Sequence, residues 1–261
     1  MQIQAMSKCN RLLTVYAAMS LVLLSSHWLT ACSSQARHVP TADLSGLSPD
    51  ALLDVYFQNE RARGAVRLSF NSLVQVEGEN PNRLRGVAGY THCGDMRVKL
   101  VGAVGITVLD YLSIDGKGRL LLDKLTPDGD AGAKEGLLDT LNVFTMALTG
   151  LCRQAAEFRV VSSDEVGINY AAKNTREGSL EFTLDRTQAT LTRQLISTKR
   201  ISAANIRYSD FDNVAGFWMP AAISIQSQDS PVLIELTINQ WRLNSNLQEG
   251  FFSPGNHVSA E

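Results

Sequence analysis

The sequence predicts a mainly β (α+β) fold, an antiparallel half-open β-barrel of about eleven strands with helices covering one mouth. Three observations lead to this prediction. Apolar and polar residues alternate through much of the chain between residues 66 and 243, which is the period of half-buried strands. Short turn sequences separate the strands, as in an antiparallel meander. Only two stretches show helical periodicity, so most of the domain consists of strands. A sheet of about eleven twisted strands must curl or close.

The first 31 residues have the plan of a secretory signal peptide. Residues 1–11 contain two basic residues and no acid. They precede an almost wholly apolar run, residues 12–24, which is short for a membrane-spanning helix. The stretch 29–32 (LTAC) closely resembles the lipobox of bacterial lipoproteins, whose cysteine is acylated on its sulfur and its new amine. The resemblance implies that Cys32 carries three acyl chains, which anchor a protein essentially permanently. An ordinary signal peptide with a chance cysteine is the alternative.

The charge of the mature chain would be mildly acidic. Cleavage before Cys32 would leave 22 basic and 26 acidic residues, a net charge of −4. This balance argues against a nucleic-acid partner and suggests no strong attraction to anionic lipid. Ser33 and Ser34 follow the cysteine without an Asp, which resembles an outer-membrane sorting signal. The expected location is therefore the periplasmic face of the outer membrane.

A polar tether and a short helix open the mature chain. Residues 32–47 are polar and contain Pro40 and Gly46, as flexible linkers do. Ser48 is placed to cap a helix with Pro49 in its first position, running to about Arg61. The helix has an apolar face, formed by Leu52, Leu53, Val55, Tyr56 and Phe57.

The strands follow in two groups around a longer helix. That helix is predicted from apolar residues at steps of four and three, after a break at 126–133. Its stripe is Leu137, Leu141, Phe144, Leu148, Leu151 and Ala155. The predicted strands lie near 66–76, 83–93, 96–104, 106–115, 118–125, 157–162, 166–172, 178–185, 188–197, 202–210, 217–227 and 231–243. No linker divides 48–243, so we expect one domain followed by a tail, 244–261.

Two cysteines remain once Cys9 is removed with the signal and Cys32 is lipidated. In an oxidising periplasm, Cys93 and Cys152 are expected to form a disulfide that closes a loop of about 60 residues. Two separate buried thiols and a reactive site are the alternatives.

The sequence contains little that indicates catalysis or metal binding. His92 and Cys93 are neighbours in a predicted strand and point to opposite faces. No cluster has zinc spacing, the acidic loop before the long helix lacks the alternating ligands of a calcium loop, and Gly-rich phosphate and nucleophile-elbow motifs are absent. We therefore expect no enzyme activity, no metal and no cofactor, although scattered acids could still meet in a cavity.

Several strands are apolar on both faces. Residues 106–114 place Ile106 and Val108 on one face and Leu109 and Tyr111 on the other. Helix and loop coverage of an ordinary sheet explains this pattern. The other explanation is a barrel whose apolar interior is too roomy to be filled by its own side chains, as in barrels that hold small apolar ligands.

The order of elements resembles the Lol family of Gram-negative bacteria, which contains a periplasmic lipoprotein carrier and a LolB-like outer-membrane lipoprotein receptor. The receptor is the nearer of the two. The resemblance lies in Arg63-Gly64-Ala65 before the first long strand, in 96–105 with 107–109, in the helix 137–151, in 216–220 and in 239–241. It implies an eleven-stranded half-open barrel that is lidded by helices and holds lipoprotein acyl chains.

Two departures limit what the resemblance implies. The receptor has an exposed leucine in a protruding loop that places lipoproteins in the membrane, whereas this chain has Val104 there. Val104 either presents a smaller apolar side chain to lipid or is a buried hairpin residue. The cysteine pair and the tail 244–261 are also unexpected in the receptor.

The expected function is the binding of acyl chains of lipoproteins or lipids by a lipid-anchored protein, in lipoprotein or lipid localisation to the outer membrane. The expected partners are those acyl chains, the membrane and a periplasmic carrier protein. The alternatives are a scaffold lipoprotein with a filled core and an enzyme acting on lipid or glycan. The residues expected to face the acyl chains are Val66, Leu68, Phe70, Leu100, Val108, Leu141, Phe144, Leu148, Phe182, Leu236 and Ile238. A one-residue slip would invert any strand.

Overall fold

The computed structural model describes residues 44–76, 80–91, 94–102, 104–126, 129–151, 157–172, 178–198, 203–227 and 232–245, with 247, 251 and 252. All of them belong to one compact unit, Val39–Glu261. Within these ranges no helix combines the length and the hydropathy that a membrane crossing needs.

The fold is mainly β, with twelve antiparallel strands in one open sheet and two helices. The helices are α1 (Pro49–Ala62) and α2 (Ala131–Thr149). The strands are β1 (Val66–Val76), β2 (Asn82–Tyr90), β3 (Met96–Val101), β4 (Thr107–Ile114), β5 (Lys117–Asp123), β6 (Phe158–Ser163), β7 (Gly167–Ala172), β8 (Gly178–Asp185), β9 (Leu191–Thr198), β10 (Ala204–Val214), β11 (Phe217–Ser227) and β12 (Val232–Arg242). This agrees with the predicted half-open barrel. Each of the twelve strands overlaps one of the twelve segments predicted as strands, so the overall estimate of about eleven was one too low.

The strand order places both ends of the domain in the middle of the sheet. From edge to edge it reads β5-β4-β3-β2-β1-β12-β11-β10-β9-β8-β7-β6, so the first and last strands pair with each other. Every other neighbouring pair is consecutive in sequence. The segment that carries α2 connects β5 to β6, and therefore joins the two edge strands of the sheet.

Tight turns fix the register of the hairpins. Asp115 and Gly116 join β4 to β5 with φ angles of 49° and 78°, and Ala215 and Gly216 join β10 to β11 with φ angles of 51° and 92°. Two consecutive residues with positive φ form the type I′ turn, whose twist matches that of the flanking strands. The tight turn at Asp115 and Gly116 therefore agrees with the short turns predicted between the strands.

Helix α1 begins as the sequence predicts. The Ser48 hydroxyl accepts a hydrogen bond from the backbone N–H of Ala51 at 3.3 Å, and Pro49 occupies the first turn. Leu52, Tyr56 and Glu60 form the buried stripe, at the i, i+4, i+8 spacing of one helix face. The helix therefore buries a carboxylate together with two apolar side chains.

Helix α2 begins earlier and ends earlier than its apolar stripe predicts. It ends at Thr149 because Gly150 has a φ of 64°, the left-handed conformation that terminates many helices. Its first turn has no acid and its last turn has no base to complement the helix dipole. The side chains of Thr140, Thr145 and Thr149 donate hydrogen bonds to helix carbonyls four residues earlier.

The main core lies between the concave face of the sheet and the two helices. Buried apolar side chains from strands across the sheet and from both helices form one cluster. The alternation predicted for β1 is confirmed, because Val66, Leu68 and Phe70 are buried in this cluster.

The described part of the C-terminal segment packs on the sheet and is not a free tail. The backbone N–H groups of Asn244 and Ser245 donate to the carbonyl oxygens of Arg63 and Ala65, at 3.1 and 2.9 Å. Farther along, the Phe251 ring lies over Gly89 of β2, where a Cβ would stand 2.6 Å from the ring.

The surface under Phe251 holds a buried ion pair. Arg97 donates from Nε and Nη2 to the two carboxylate oxygens of Asp110, at 2.9 and 2.8 Å, and from Nη1 to the Phe251 carbonyl at 2.8 Å. Lys99 Nζ lies 3.6 Å from the same carboxylate. Because these residues alternate with the core side chains of β3 and β4, the ion pair belongs to the convex face.

Candidate functional site

The concave face gathers most of the side chains that the sequence analysis expected to face acyl chains. Nine of them belong to the buried cluster between sheet and helices, and Leu100 packs against it while partly exposed. The nine are Val66, Leu68, Phe70, Leu141, Phe144, Leu148, Phe182, Leu236 and Ile238. The structure thus brings residues from β1, β8, β12 and α2 to one apolar surface.

Val108 is placed differently from its prediction. In the β3–β4 pair, Leu100 lies opposite Leu109 and Val98 lies opposite Tyr111. Leu109 and Tyr111 are buried in the core cluster, so Val108 points to the other face of the sheet and is only half-buried. The prediction was wrong by one residue because β4 is apolar on both faces.

The space inside the sheet is occupied by α2. The ring of Phe144 on this helix lies 5.6 Å, centroid to centroid, from the ring of Phe70 on β1. A partly open cavity beside the helices has a volume of about 30 Å³, the space of about one or two water molecules. The prediction of an interior too large for its own side chains to fill is therefore wrong for this arrangement of the helices.

Polar groups of the sheet hold α2 in place. The Tyr208 hydroxyl of β10 lies 2.9 Å from both the carbonyl oxygen of Ala147 and Oε1 of Gln194. The Tyr111 hydroxyl of β4 donates to Oδ1 of Asn142 at 2.9 Å. Strands on opposite sides of the β1–β12 pair thus each provide a hydroxyl to the same helix.

A buried ion pair fixes the end of α1 over the sheet. Glu60 accepts a hydrogen bond from Nη1 of Arg63, and Nη2 of Arg63 donates to the carbonyl oxygen of Trp218 on β11 at 3.3 Å. Nε of Arg63 is buried and has no hydrogen-bond partner among the described residues. This arginine therefore links the last turn of α1 to the sheet, with one donor unsatisfied.

The environment of Glu60 shifts the ionisation of several groups. Burial raises the pKa of Glu60 above its usual value, although the Arg63 guanidinium and the Tyr56 hydroxyl favour the charged form. Burial also raises the pKa of Tyr56, and the Glu60 charge adds to that effect. Burial, and secondly the Glu60 charge, also raise the pKa of Tyr90 above its ordinary value.

The sequence analysis missed this ion pair, although the signal was present. Glu60 stands eight residues after Leu52 and four after Tyr56, which puts a carboxylate on the apolar stripe of the helix. A buried acid needs a partner, and Arg63 is one helical turn away. The same spacing argument that predicted the helix could therefore have identified the pair.

Among the described residues that line the cavity, Glu60 is the only carboxylate, and the others are mostly apolar or aromatic. Among the described residues, no three His, Cys, Asp or Glu side chains lie together as metal ligands do.

Val104 is placed on an exposed turn between β3 and β4. Its side chain is 81% exposed, which excludes the alternative of a buried hairpin residue. Cys32, Cys93 and Cys152 lie outside the described residues, so lipidation and the disulfide remain predictions.

No family model and no curated protein matches the sequence. Solved structures do share its fold. A DUF1329 family protein from Desulfovibrio piger aligns with a TM-score of 0.54 at 10% identity, covering 78% of this chain and 95% of that one. A LolA superfamily protein from Nitrosomonas europaea aligns with a TM-score of 0.52 at 11% identity, covering 76% and 94%.

A domain ascribed to outer-membrane lipoprotein sorting, from Vibrio parahaemolyticus, has a TM-score of 0.50 at 9% identity. That alignment covers 78% of this chain and 95% of that one. At sequence identities of about 10%, structural similarity shows a shared fold and not a shared activity. The sheet with its helical cover thus has the same fold as these three proteins.

Proposed function

We propose that this chain is a lipid-anchored protein of the bacterial envelope that binds acyl chains of lipoproteins or lipids and contributes to their localisation at the outer membrane. The binding surface is the concave face of the sheet, and no covalent step is involved. The observation that carries the proposal is the continuous apolar surface that the strands present to α1 and α2, together with the low intrinsic stability of α2. The LolA-like fold supports it.

The acyl chains would occupy the place that α2 holds in this structure. Moving α2 away uncovers the apolar side chains of the sheet, such as Phe70 and Leu236, and those of the helix, such as Phe144 and Leu148. Acyl chains would then cover the apolar surface of the sheet and that of α2. The apolar area that the sheet and the helix bury against each other would instead be buried against lipid.

Helix α2 is suited to move because its own sequence stabilises it weakly. Gly132 and Gly136 each cost about 1 kcal/mol relative to alanine in a helix, and Thr140, Thr145 and Thr149 are poor helix formers. Its docking depends on the apolar stripe and on the hydroxyls of Tyr111 and Tyr208. The helix is thus held mainly by contacts that an acyl chain can replace.

The Glu60–Arg63 pair would hold the second part of the cover. It fixes the end of α1, and at the other end of this helix the Tyr170 hydroxyl donates to the Pro49 carbonyl at 2.7 Å. With both ends tied to the sheet, α1 stays in place while α2 moves.

The anchor proposed at Cys32 would keep the protein at the outer membrane. The tether 32–47 would allow the domain to meet a periplasmic carrier protein and receive its cargo. In this scheme, cargo passes from the carrier to this protein when its acyl chains are better buried here than in the carrier. No covalent bond is broken.

Uptake of a fluorescent fatty acid by the full chain tests the proposal. The wild type is expected to bind it saturably. Y208F and Y111F each remove one hydroxyl contact to α2 and keep the apolar ring. Each should tighten the apparent affinity by roughly fivefold, because a hydrogen bond is worth about 1 kcal/mol and the open form becomes more populated.

The matched control is N71A. It removes the hydrogen bond from Asn71 Nδ2 to Asn239 Oδ1, 3.1 Å, which joins exposed side chains of β1 and β12 and does not involve the helices. Its affinity should equal that of the wild type. The absence of saturable uptake by the wild type, Y111F and Y208F alike would overturn the proposal.

A scaffold lipoprotein of an envelope complex is the second candidate. The observation in its favour is the small volume, about 30 Å³, of the partly open cavity beside the helices. In that case mass spectrometry of the purified protein should find no co-purifying lipid, and the tyrosine variants should lose stability without any gain in uptake.

A further inference from the structure

One end of the apolar interior is polar, where both helices and the sheet meet around the cavity described above. Tyr56, Glu60 and Arg63 line this cavity from α1 and its C-cap, and Tyr90 and Tyr208 line it from β2 and β10. Burial and, after it, the Glu60 charge raise the pKa of all three tyrosines, so their hydroxyls lie around one carboxylate. A few convergent polar groups in a mostly apolar pocket are typical of a ligand site.

The end of α2 meets this polar region through its backbone. The carbonyl oxygen of Ala147 lies 2.9 Å from the Tyr208 hydroxyl, and the N–H of Leu151 donates to the Tyr56 hydroxyl at 3.5 Å. Gly150 allows this close approach, since a Cβ at that residue would stand 2.8 Å from the Tyr56 hydroxyl. The tyrosine hydroxyls thus bind one backbone acceptor and one backbone donor.

These two backbone groups would pair with each other if the helix continued, because an α-helix joins the carbonyl of residue i to the N–H of residue i+4. Helix α2 ends at Thr149, and each group is placed against a tyrosine hydroxyl. When α2 moves away, Tyr208 loses an acceptor and Tyr56 loses a donor. A ligand that replaces α2 without loss of hydrogen bonds offers one acceptor and one donor close together.

The charge of the cavity lining favours a neutral ligand group. Among the described residues that line it, Glu60 and Arg63 are the only charged ones, and they form an ion pair with each other. A carboxylate or phosphate would bring a second negative charge to Glu60 in a buried site, and an amine would bring a second positive charge to Arg63. An uncharged polar group avoids both repulsions.

We propose that this polar end is a binding site for the amide of an acyl chain that is linked to an amine. The amide carbonyl accepts a hydrogen bond from Tyr208 and the amide N–H donates to Tyr56, as the backbone of α2 does in the closed form. A fatty acid fits less well, because its carboxylate is charged and has no N–H. The inference rests on the proposed function and adds a site that selects the linkage of the chain.

Calorimetric titration of the full chain with two probes tests the inference. N-methyldecanamide and decanoate have the same acyl chain, and decanoate is an anion at about pH 8, as carboxylates are. The wild type should bind the amide roughly tenfold more tightly, because only the amide matches the site in charge and in hydrogen bonding. The measured quantity is the ratio of the two affinities, since a variant that only alters the opening of α2 changes both by the same factor.

Two tyrosine variants separate binding at this site from the opening of α2. Y111F is the matched control, because Tyr111 contacts α2 at Asn142 and is not among the residues that line the cavity. It should tighten both probes by roughly fivefold and leave their ratio unchanged. Y208F should tighten decanoate likewise, whereas the amide loses its hydrogen bond to Tyr208 and gains nothing. The ratio should therefore fall roughly fivefold in Y208F alone.

E60Q changes the charge of the site and nearly preserves its shape. It leaves Arg63 without its carboxylate partner, so decanoate should gain affinity and the ratio of amide to decanoate affinity should fall by roughly tenfold. D164N is the control for net charge, because Asp164 is exposed in the turn between β6 and β7 and does not line the cavity. D164N should keep the wild-type ratio.

The outcomes distinguish this inference from the proposed function. Saturable binding of both probes with a wild-type ratio near one, with equal ratios in Y208F and Y111F, or with an unchanged ratio in E60Q would overturn the inference and leave the proposed function supported. Failure of the wild type, Y111F and Y208F to bind either probe would contradict both.

Discussion

Phe70 and Gly86 make one of the closest side-chain fits in the interior. A Cβ at residue 86 would stand 2.1 Å from the Phe70 ring, whereas one at Gly136 of α2 would meet nothing within 4 Å. G86A should therefore lower the free energy of unfolding by about 1–3 kcal/mol through overpacking. G136A should raise it by about 1 kcal/mol through helix propensity. Urea unfolding of both variants checks this, and a neutral G86A would contradict the described packing.

The pH dependence of stability provides a second test at the residue scale. Since burial raises the pKa of Glu60 above its ordinary value of 4.5, the folded chain holds this proton more tightly than the unfolded chain. The resulting stabilisation is fully present below the unfolded pKa and is lost as pH rises through the folded pKa. The free energy of unfolding of the wild type should therefore fall relative to that of E60Q as the pH rises above about 4.

D164N is the control, because its expected pH dependence has the opposite sign. Backbone N–H groups of Gly167 and Val166 donate to the Asp164 carboxylate and lower its pKa. The wild type should gain stability relative to D164N as pH rises through the aspartate range. Urea unfolding between about pH 2.5 and pH 8 covers both trends, because the Asp164 effect develops below its ordinary pKa of 3.8 and the Glu60 effect develops above pH 4. Parallel trends for the two variants would contradict this assignment.

At the scale of elements, α2 should open more readily than the sheet it covers. Its amide protons are expected to exchange with solvent faster than those of the central strands β1 and β12. G136A should slow exchange in α2 by roughly fivefold, the effect of about 1 kcal/mol, and leave the strands unchanged. Hydrogen exchange followed by NMR or mass spectrometry measures this. Equal protection of α2 and the central strands in the wild type would argue against a movable cover.

The C-terminal segment is a second element with a measurable contribution. Phe251 is half-buried over Gly89, and its carbonyl accepts a hydrogen bond from the buried Arg97. F251A should lower the free energy of unfolding by about 2 kcal/mol, less than a fully buried phenylalanine would. Urea unfolding checks the loss. An F251A variant as stable as the wild type would show that the segment does not stabilise the sheet.

For the whole molecule, the predicted disulfide would connect the two halves of the chain. Tyr90, three residues before Cys93, and Gly150, two residues before Cys152, line the same cavity. A bridge closing a loop of about 60 residues would contribute about 4 kcal/mol, and C93S/C152S should lose about that amount. Thiol counting in denaturant should find two additional thiols after reduction. If both thiols react before reduction, the predicted disulfide is contradicted.

How well a strand could be predicted from the sequence depends on whether one or both of its faces are buried. β1 was predicted correctly because only one of its faces is apolar, so alternation fixes the side that is buried. β4 was not, because Leu109 and Tyr111 are buried on the concave face while Leu112 is buried on the convex face, near the C-terminal segment. Nothing in the local sequence of β4 shows that a segment more than a hundred residues away covers that face.

The same reasoning applies to the candidate site. The apolar side chains of the interior were predictable from periodicity, and nine of the eleven expected residues lie in the core cluster. How far the interior is filled was not predictable, because it depends on where α2 docks. Strand register also brings residues such as Arg193 and Arg207, which are 14 residues apart in the sequence, directly opposite each other, and their exact pairing depends on the register of β9 and β10.

The pairing of the first strand with the last has a consequence for how the polypeptide can be divided. β1 and β12 are neighbours at the centre, and the connection bearing α2 runs between the outermost strands, β5 and β6. A backbone cut in that connection would leave two fragments, each a meander of consecutive hairpins, with complementary edges at β1 and β12. Co-expressed as separate polypeptides, they should reassemble through that seam, so the intact covalent chain is dispensable for building the architecture.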